Sequence, residues 1–260
     1  MAFETLLLEV ADGIAVATLN RPEKLNSFNH VMRREFRTLS DDLHLNQDIK
    51  VVIVTGQGRA FCAGADIEFF EHDWSTPMFR REYRLVHDFF DDLEQLEKPV
   101  IAAINGICAG GGLELALACD YRIAVEGARF GFSENQLALI PASGGCSRLP
   151  RFVGMGRAKD LLLTGRMIEA DEAERIGLVD RVVKAGQAMS EARGLAQQLL
   201  KKALPALGLL KQAVVTCSSV DLDSGRIVER LTQSVLIKTR DHQEGIKAFR
   251  EKRPAQFMGR

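Results

Sequence analysis

Two glutamates stand beside glycine-rich turns in surroundings that are otherwise apolar or small. Glu114 closes the run Asn105-Gly106-Ile107-Cys108-Ala109-Gly110-Gly111-Gly112-Leu113-Glu114. Glu134 lies in Phe130-Gly131-Phe132-Ser133-Glu134-Asn135-Gln136, shortly before Ile140-Pro141-Ala142-Ser143-Gly144-Gly145. A carboxylate in such a place gives up hydration, so the local fold must have a reason to keep it. Two carboxylates facing one cavity can share a water molecule, one acting as base and the other as acid. Plainer roles exist for each. Glu114 could simply complement a helix dipole, and Glu134 could be a turn residue paired to a nearby arginine such as Arg148.

The glycine turns add a second kind of chemistry. Ala109-Gly110-Gly111-Gly112 follows a predicted strand and opens a predicted helix, so unpaired N–H groups with partial positive charge face outward there. By itself a triple glycine reads first as a tight strand-to-helix turn. A second small-residue loop, Arg59-Ala60-Phe61-Cys62-Ala63-Gly64-Ala65-Asp66-Ile67, also follows a strand and leads into a helix. Two such loops could aim two backbone N–H groups at one oxygen, which is an oxyanion hole. Neither loop matches the GxxxxGK[ST] pattern of a nucleotide-phosphate cradle. No Gly-x-Gly-x-x-Gly follows the first strand either. Asp66 reads as a helix-start residue rather than a catalyst.

Alternating strands and helices must position these loops. Gly13 to Leu19 reads as a strand stopped by Asn20-Arg21-Pro22. His30 to Leu45 has helical spacing, with Met32, Phe36, Leu39 and Leu43 on one face. Lys50 to Gly56 and Val100 to Ile104 are short apolar runs, the mark of strands buried on both faces. Helices are expected over Arg80 to Leu96, Leu113 to Cys119, Arg157 to Thr164, Ala170 to Arg175 and Ala188 to Lys202. Further strands are expected at Tyr121 to Val125 and Leu178 to Val183. Beyond Pro205 the pattern stays helical. The succession predicts an α/β core of mostly parallel strands followed by a helical appendage.

Composition narrows the function classes. The chain has 260 residues, 46% hydrophobic and 27% charged, which is globular rather than disordered. With 34 basic against 35 acidic residues, no overall field would gather nucleic acid or an anionic membrane. The basic stretch Lys247 to Arg253 reads as an exposed helix face. No secretory signal is read at the N-terminus, and Val100 to Leu113 is too short to span a bilayer. The five cysteines (Cys62, Cys108, Cys119, Cys146 and Cys217) show no CxxC spacing and read as reduced, mostly buried thiols of a cytoplasmic protein. The five histidines form no HxH or HxxxH pair, so no metal site is expected.

At these residues the chain resembles the crotonase superfamily, the enoyl-CoA hydratases and isomerases. The matching segments are Asn20-Arg21-Pro22-Glu23-Lys24-Leu25-Asn26, Phe61 to Ile67, Lys98-Pro99 to Gly106, Gly110 to Ala116, and Phe130-Gly131 through Ile140-Pro141. Arg166 to Val183 and the tail Gly245 to Arg253 match as well, so the resemblance covers nearly the whole chain. It implies an α/β fold, a spiral of ββα repeats over residues 1–200, with a helical region over 201–260 used in trimerisation. It also implies an acyl-CoA substrate, a homotrimer or a homohexamer built as a dimer of trimers, and no cofactor beyond the coenzyme A carried by the substrate.

Position by position, the resemblance makes the N–H groups of Ala65 and Gly111 the oxyanion pair and Glu114 and Glu134 the two hydratase carboxylates. Lys24 and Ala63 fall where relatives contact the CoA nucleotide. Phe249 and Lys252 match tail residues that touch CoA bound to a neighbouring subunit. The implied reaction is reversible addition of water across the C2=C3 bond of a 2-enoyl-CoA. Alternatives are another crotonase reaction, such as double-bond isomerisation or thioester hydrolysis, or a non-catalytic RNA-binding role.

Some positions depart from the family pattern. Ser133 replaces a common proline, Asn135 and Gln136 replace apolar residues, and Ala138 replaces a frequent glycine. Serine loosens the backbone at Glu134 relative to proline. Asn135 could face the acyl group and favour a functionalised substrate, or it could lie at the surface. The aromatic segment Phe69 to Phe79 falls where the family's acyl pocket varies. Its rings could shape that pocket or only pack.

Overall fold

The structure is a computed structural model that describes residues 3–259. Its first element is one the sequence reading did not anticipate. Strand β1 (Leu6–Ala11) pairs antiparallel with β2 (Ile14–Leu19). The two-residue turn between them, Asp12-Gly13, has φ of +51° and +81°. That turn matches the right-handed twist of a hairpin, and Asp-Gly between apolar runs is its sequence signal. A 3-10 turn at Pro22–Lys24 leads to helix α1 (His30–Leu45), whose N-cap Asn29 accepts a hydrogen bond from the Met32 N–H.

Three ββα units follow. The first is β3 (Val51–Gly56), β4 (Ala60–Cys62) and the helices α2 (Ile67–Glu71) and α3 (Thr76–Gln95). The second is β5 (Val100–Ile104), β6 (Ile107–Ala109) and α4 (Gly111–Leu117). The third is β7 (Tyr121–Val125), β8 (Arg129–Gly131), a 3-10 turn at Glu134–Leu137 and α5 (Gly145–Val153). In each unit the first strand joins one sheet and the second, shorter strand joins another. The chain continues through α6 (Met155–Thr164), β9 (Ile168–Glu169), α7 (Ala170–Arg175), β10 (Arg181–Val183) and α8 (Ala188–Leu199). It finishes with α9 (Leu204–Cys217), α10 (Leu222–Leu236) and α11 (Arg240–Glu251).

The larger sheet has six strands in the order β1-β2-β3-β5-β7-β10, and all its pairs except β1–β2 are parallel. The smaller sheet runs β4-β6-β8-β9. Every residue of β3 and β5 is buried, as their unbroken apolar runs require. Strand pairing therefore stacks the ends of β4, β6 and β8 side by side, and the turns that follow them gather at one place. The short strands β4, β6 and β8 span only three residues each and merge into glycine turns, so they carry no periodicity to read.

Helix α3 begins at Thr76 rather than Arg80, because Pro77 occupies its first turn, where the missing N–H is harmless. The Phe69 to Phe79 segment is thus largely helical. Asp66 caps α2, accepting from the Glu68 N–H, and also pairs with Arg21 at 2.9 Å. All five cysteines are free. Cys62, Cys108 and Cys119 are buried as small apolar residues, whereas Cys146 is exposed. Burial pushes the Cys62 thiol up to about 12, which leaves it neutral and unreactive.

Candidate active site

Glu114 is on α4, whose N-cap is Gly110, and its side chain is only 1% exposed. Its Oε1 accepts the backbone N–H groups of Ser143 at 2.6 Å and Gly145 at 2.8 Å. Burial pushes its carboxyl up to about 7; the Glu134 charge adds to the rise, while the two amides and Arg148 oppose it. A group poised there can exchange protons at neutral pH.

Glu134 starts the 3-10 turn after β8 and is half-buried. Burial raises its carboxyl too, and its Oε2 has no partner among the described residues. Gly110 makes room for it. With φ +51°, a Cβ at Gly110 would lie 2.7 Å from Glu134 Oε1. The two glutamates therefore approach one site from α4 and from the turn after β8.

The loop after β4 meets the start of α4 across Gly64. Its φ is +102°, and a Cβ there would lie 2.9 Å from the Gly111 nitrogen. Phe28 fixes this loop from the other side: its N–H donates to Gly64 O at 2.8 Å and its carbonyl accepts from Asp66 N–H at 3.1 Å. Buried Asn26 holds the base of the loop through Ala60 O at 2.9 Å and Phe61 O at 3.2 Å. Among the described residues, neither the Ala65 N–H nor the Gly111 N–H has an acceptor.

A cavity of about 190 Å³ joins these groups. Ala63, Ala65, Gly111, Glu114 and Glu134 all line it, together with Phe70, Phe79, Tyr83 and Val86. Lys24, Phe249 and Lys252 do not. Lys24 is at the surface, 3.4 Å from Glu68, Phe249 is 84% exposed on α11, and Lys252 caps that helix in a left-handed conformation. Among the described residues no three His, Cys, Asp or Glu side chains gather as a metal site would need.

Three points that the sequence left open are decided by packing between distant segments. Arg148 does not pair with Glu134. Its guanidinium, on α5, turns toward α3 and binds Asp91 at 2.6 Å and Glu94 at 3.0 Å, while its Nη1 donates to Ser143 O. It therefore braces the loop that holds Glu114. Asn135 does not face the acyl side. Its Nδ2 donates to Leu163 O at 2.9 Å, so it caps the end of α6 and ties the Glu134 turn to that helix. Some of the order that proline would supply at 133 comes from this tie. The aromatic segment both shapes and packs, since Phe70 and Phe79 line the cavity while Trp74 packs against Phe69.

Ala138 ends the Glu134 turn with φ +56°. A left-handed alanine costs about 1–2 kcal/mol, more than the chain entropy that glycine loses on folding. Ala138→Gly is expected to stabilise the protein by about 0.5–1 kcal/mol, seen as a rise of about 2 °C in Tm by calorimetry. A fall in Tm would mean the turn is not strained.

The sequence reading did not find Arg33, Tyr83, Ser143 or Gly145 as site residues. A charged residue one turn before Phe36, on the inward side of α1, was the available signal for Arg33. The other three are brought in by packing between distant segments.

Comparison with known proteins agrees with this architecture. A family model described as enoyl-CoA hydratase/isomerase matches residues 9–260, and the chain belongs to that family. The chain is 40% identical over 262 residues, covering all of both proteins, to the crotonyl-CoA hydratase of Syntrophomonas wolfei. It is 40% identical over 254 residues to the short-chain-enoyl-CoA hydratase of Clostridium acetobutylicum, covering 97% of each. The crystal structure of enoyl-CoA hydratase from Bacillus anthracis superposes with a TM-score of 0.93 at 38% identity, covering 99% of this chain and 100% of that one.

Proposed function

We propose that this protein is an enoyl-CoA hydratase, adding water reversibly across the C2=C3 bond of a 2-enoyl-CoA thioester. One observation carries the reading: two carboxylates and two unpartnered backbone amides line a single cavity. The thioester oxygen lies at the Ala65 and Gly111 N–H groups. As water adds to C3, negative charge moves onto that oxygen as an enolate, and the two preorganised donors stabilise it. Glu114 takes a proton from the water as its oxygen bonds to C3. Glu134, which carries a proton when Glu114 is ionised, holds the same water by a second hydrogen bond and passes that proton to C2, and the proton taken up by Glu114 then restores it. The two carboxylates titrate as a pair, because each feels the other's proton.

Lys24 and Ala63 belong to the CoA-binding side of this reading. Phe249 and Lys252 would reach CoA bound to a neighbouring subunit. That role fits an assembly, a trimer or a pair of trimers, and α9 and α10 present exposed apolar residues such as Leu210, Val214, Leu231 and Val235 that a partner subunit would cover. Among the described residues no helix is long and apolar enough to cross a membrane. The free cysteines suit a reducing, cytoplasmic setting.

The direct test follows the loss of conjugated enoyl-thioester absorbance over a panel of acyl chains, with product identified as the 3-hydroxyacyl thioester. Release of free CoA, or migration of the double bond without water uptake, would reject hydration in favour of a different crotonase reaction.

The pH profile gives a second expected result. Glu114 must be ionised to accept a proton, so kcat/KM should fall on the acid side with a limb near pH 7. Because the Glu134 charge helps to raise Glu114, the residual activity of Glu134→Gln should show that limb at lower pH. A limb that stays in place would mean that the two groups do not sense each other.

A further inference from the structure

A buried cation faces the same cavity, and the hydration chemistry does not use it. Arg33, on α1, is 2% exposed and lines the cavity on its aromatic side. Its guanidinium carbon is 3.6 Å from the centre of the Phe69 ring and 5.8 Å from that of Tyr83. Nε and Nη1 are buried with no hydrogen-bond acceptor among the described residues. Asp66, the carboxylate whose charge reaches it from α2, is committed to Arg21 at 2.9 Å. Glu82 and the Tyr83 phenol also act on it through their charge, without a hydrogen bond. Burial lowers the guanidinium to about 10, which still leaves it charged at neutral pH.

Burying a charged group with unmatched donors is costly, and stacking on aromatic rings returns only part of that cost. A hydrocarbon acyl chain lying among Phe70, Phe79 and Tyr83 would leave that charge unmatched. Nε and Nη1 are enclosed even from water, so the donor open to the cavity is Nη2, where an acyl chain ending in an acid would meet the guanidinium charge with a charge-assisted bond in a place shielded from water. The cavity is small, so the chain must be short.

We propose that Arg33 makes this site selective for short 2-enoyl-CoA thioesters whose acyl chain carries a carboxylate, which Arg33 binds inside the cavity. The assignment rests on the hydratase reading above for its chemistry, but its binding side can be tested separately.

The test compares two unsaturated thioesters of equal chain length, 2-pentenoyl-CoA and 4-carboxy-2-butenoyl-CoA. The wild-type enzyme should favour the acid by about 100-fold or more in kcat/KM. In Arg33→Met that ratio should collapse toward one, and Arg33→Lys should keep part of it. Calorimetry with the saturated pair, pentanoyl-CoA and 4-carboxybutanoyl-CoA, reads the same preference without any turnover. A wild-type enzyme that favours the neutral chain overturns the proposal, whether or not the variants fold. So does an Arg33→Met ratio equal to wild type, which would make Arg33 a packing residue for Phe69. If neither unsaturated thioester is hydrated yet the saturated acid binds through Arg33, the hydratase reading falls and the carboxylate site stands.

Discussion

Glu114→Gln is expected to lower kcat for hydration of crotonyl-CoA by about 100- to 10,000-fold, the range for removing a positioned general base. Glutamine keeps the shape and keeps an oxygen able to accept from the Ser143 and Gly145 amides. What it loses is the capacity to take a proton from water. The folded protein should persist and even gain stability. Glu114 is raised from 4.5 to about 7 in the folded state, so its protonated form is the favoured one. Its contribution is intact below pH 4.5 and is lost as pH rises through about 7, by which point ionisation favours the unfolded chain. At pH 8 the glutamine variant should therefore be more stable than wild type by on the order of 2–3 kcal/mol, with the gap closing toward pH 4.5. Glu134→Gln should show a comparable loss of kcat. Denaturant midpoints at two pH values and initial rates on one substrate measure both effects. Wild-type turnover in either variant would remove the shared-water mechanism. A Glu114→Gln protein that is less stable at pH 8 would mean that its carboxylate is held as an anion rather than raised by burial.

The parts that were legible in the sequence share a physical cause. Buried parallel strands need continuous apolar runs, so β3 and β5 could be read to within a residue. The amphipathic stripe of α1 did the same for that helix. Glu114 and Glu134 stood out because acids seldom follow glycine turns among apolar neighbours. What stayed hidden was set by contacts between distant segments. Arg148 looked like a partner for Glu134, fourteen positions away in the chain, yet α3 offered Asp91 and Glu94. Asn135 could have faced the acyl group or the surface, and the free carbonyls at the end of α6 decide for the surface. The hairpin of β1 was missed although Asp12-Gly13 announces it, because β1 is mostly exposed and its apolar run does not alternate.

Gly64→Ala is expected to lower kcat by about 100- to 1,000-fold, the loss that follows removal of one oxyanion donor. The new methyl cannot be accommodated in place. At φ +102° its Cβ would be 2.9 Å from the Gly111 nitrogen and 3.1 Å from the Ala109 oxygen, and both are backbone atoms. Either the 64–65 peptide turns, carrying the Ala65 N–H away, or the start of α4 retreats, carrying the Gly111 N–H with it. Both outcomes separate the two donors that must converge on one oxygen. Because the charge they stabilise develops only as water adds, kcat should suffer more than KM. Backbone strain alone also costs stability, of order 1–3 kcal/mol, so a control must carry the strain without the contact. Gly127, between β7 and β8, provides it: φ is +79° and, among the described residues, no atom lies within 4 Å of a Cβ built there. Gly127→Ala should lose stability yet keep kcat, whereas Gly64→Ala should lose both. If Gly64→Ala behaves like Gly127→Ala, with its turnover intact, then the facing amides of Ala65 and Gly111 do not hold the reacting oxygen.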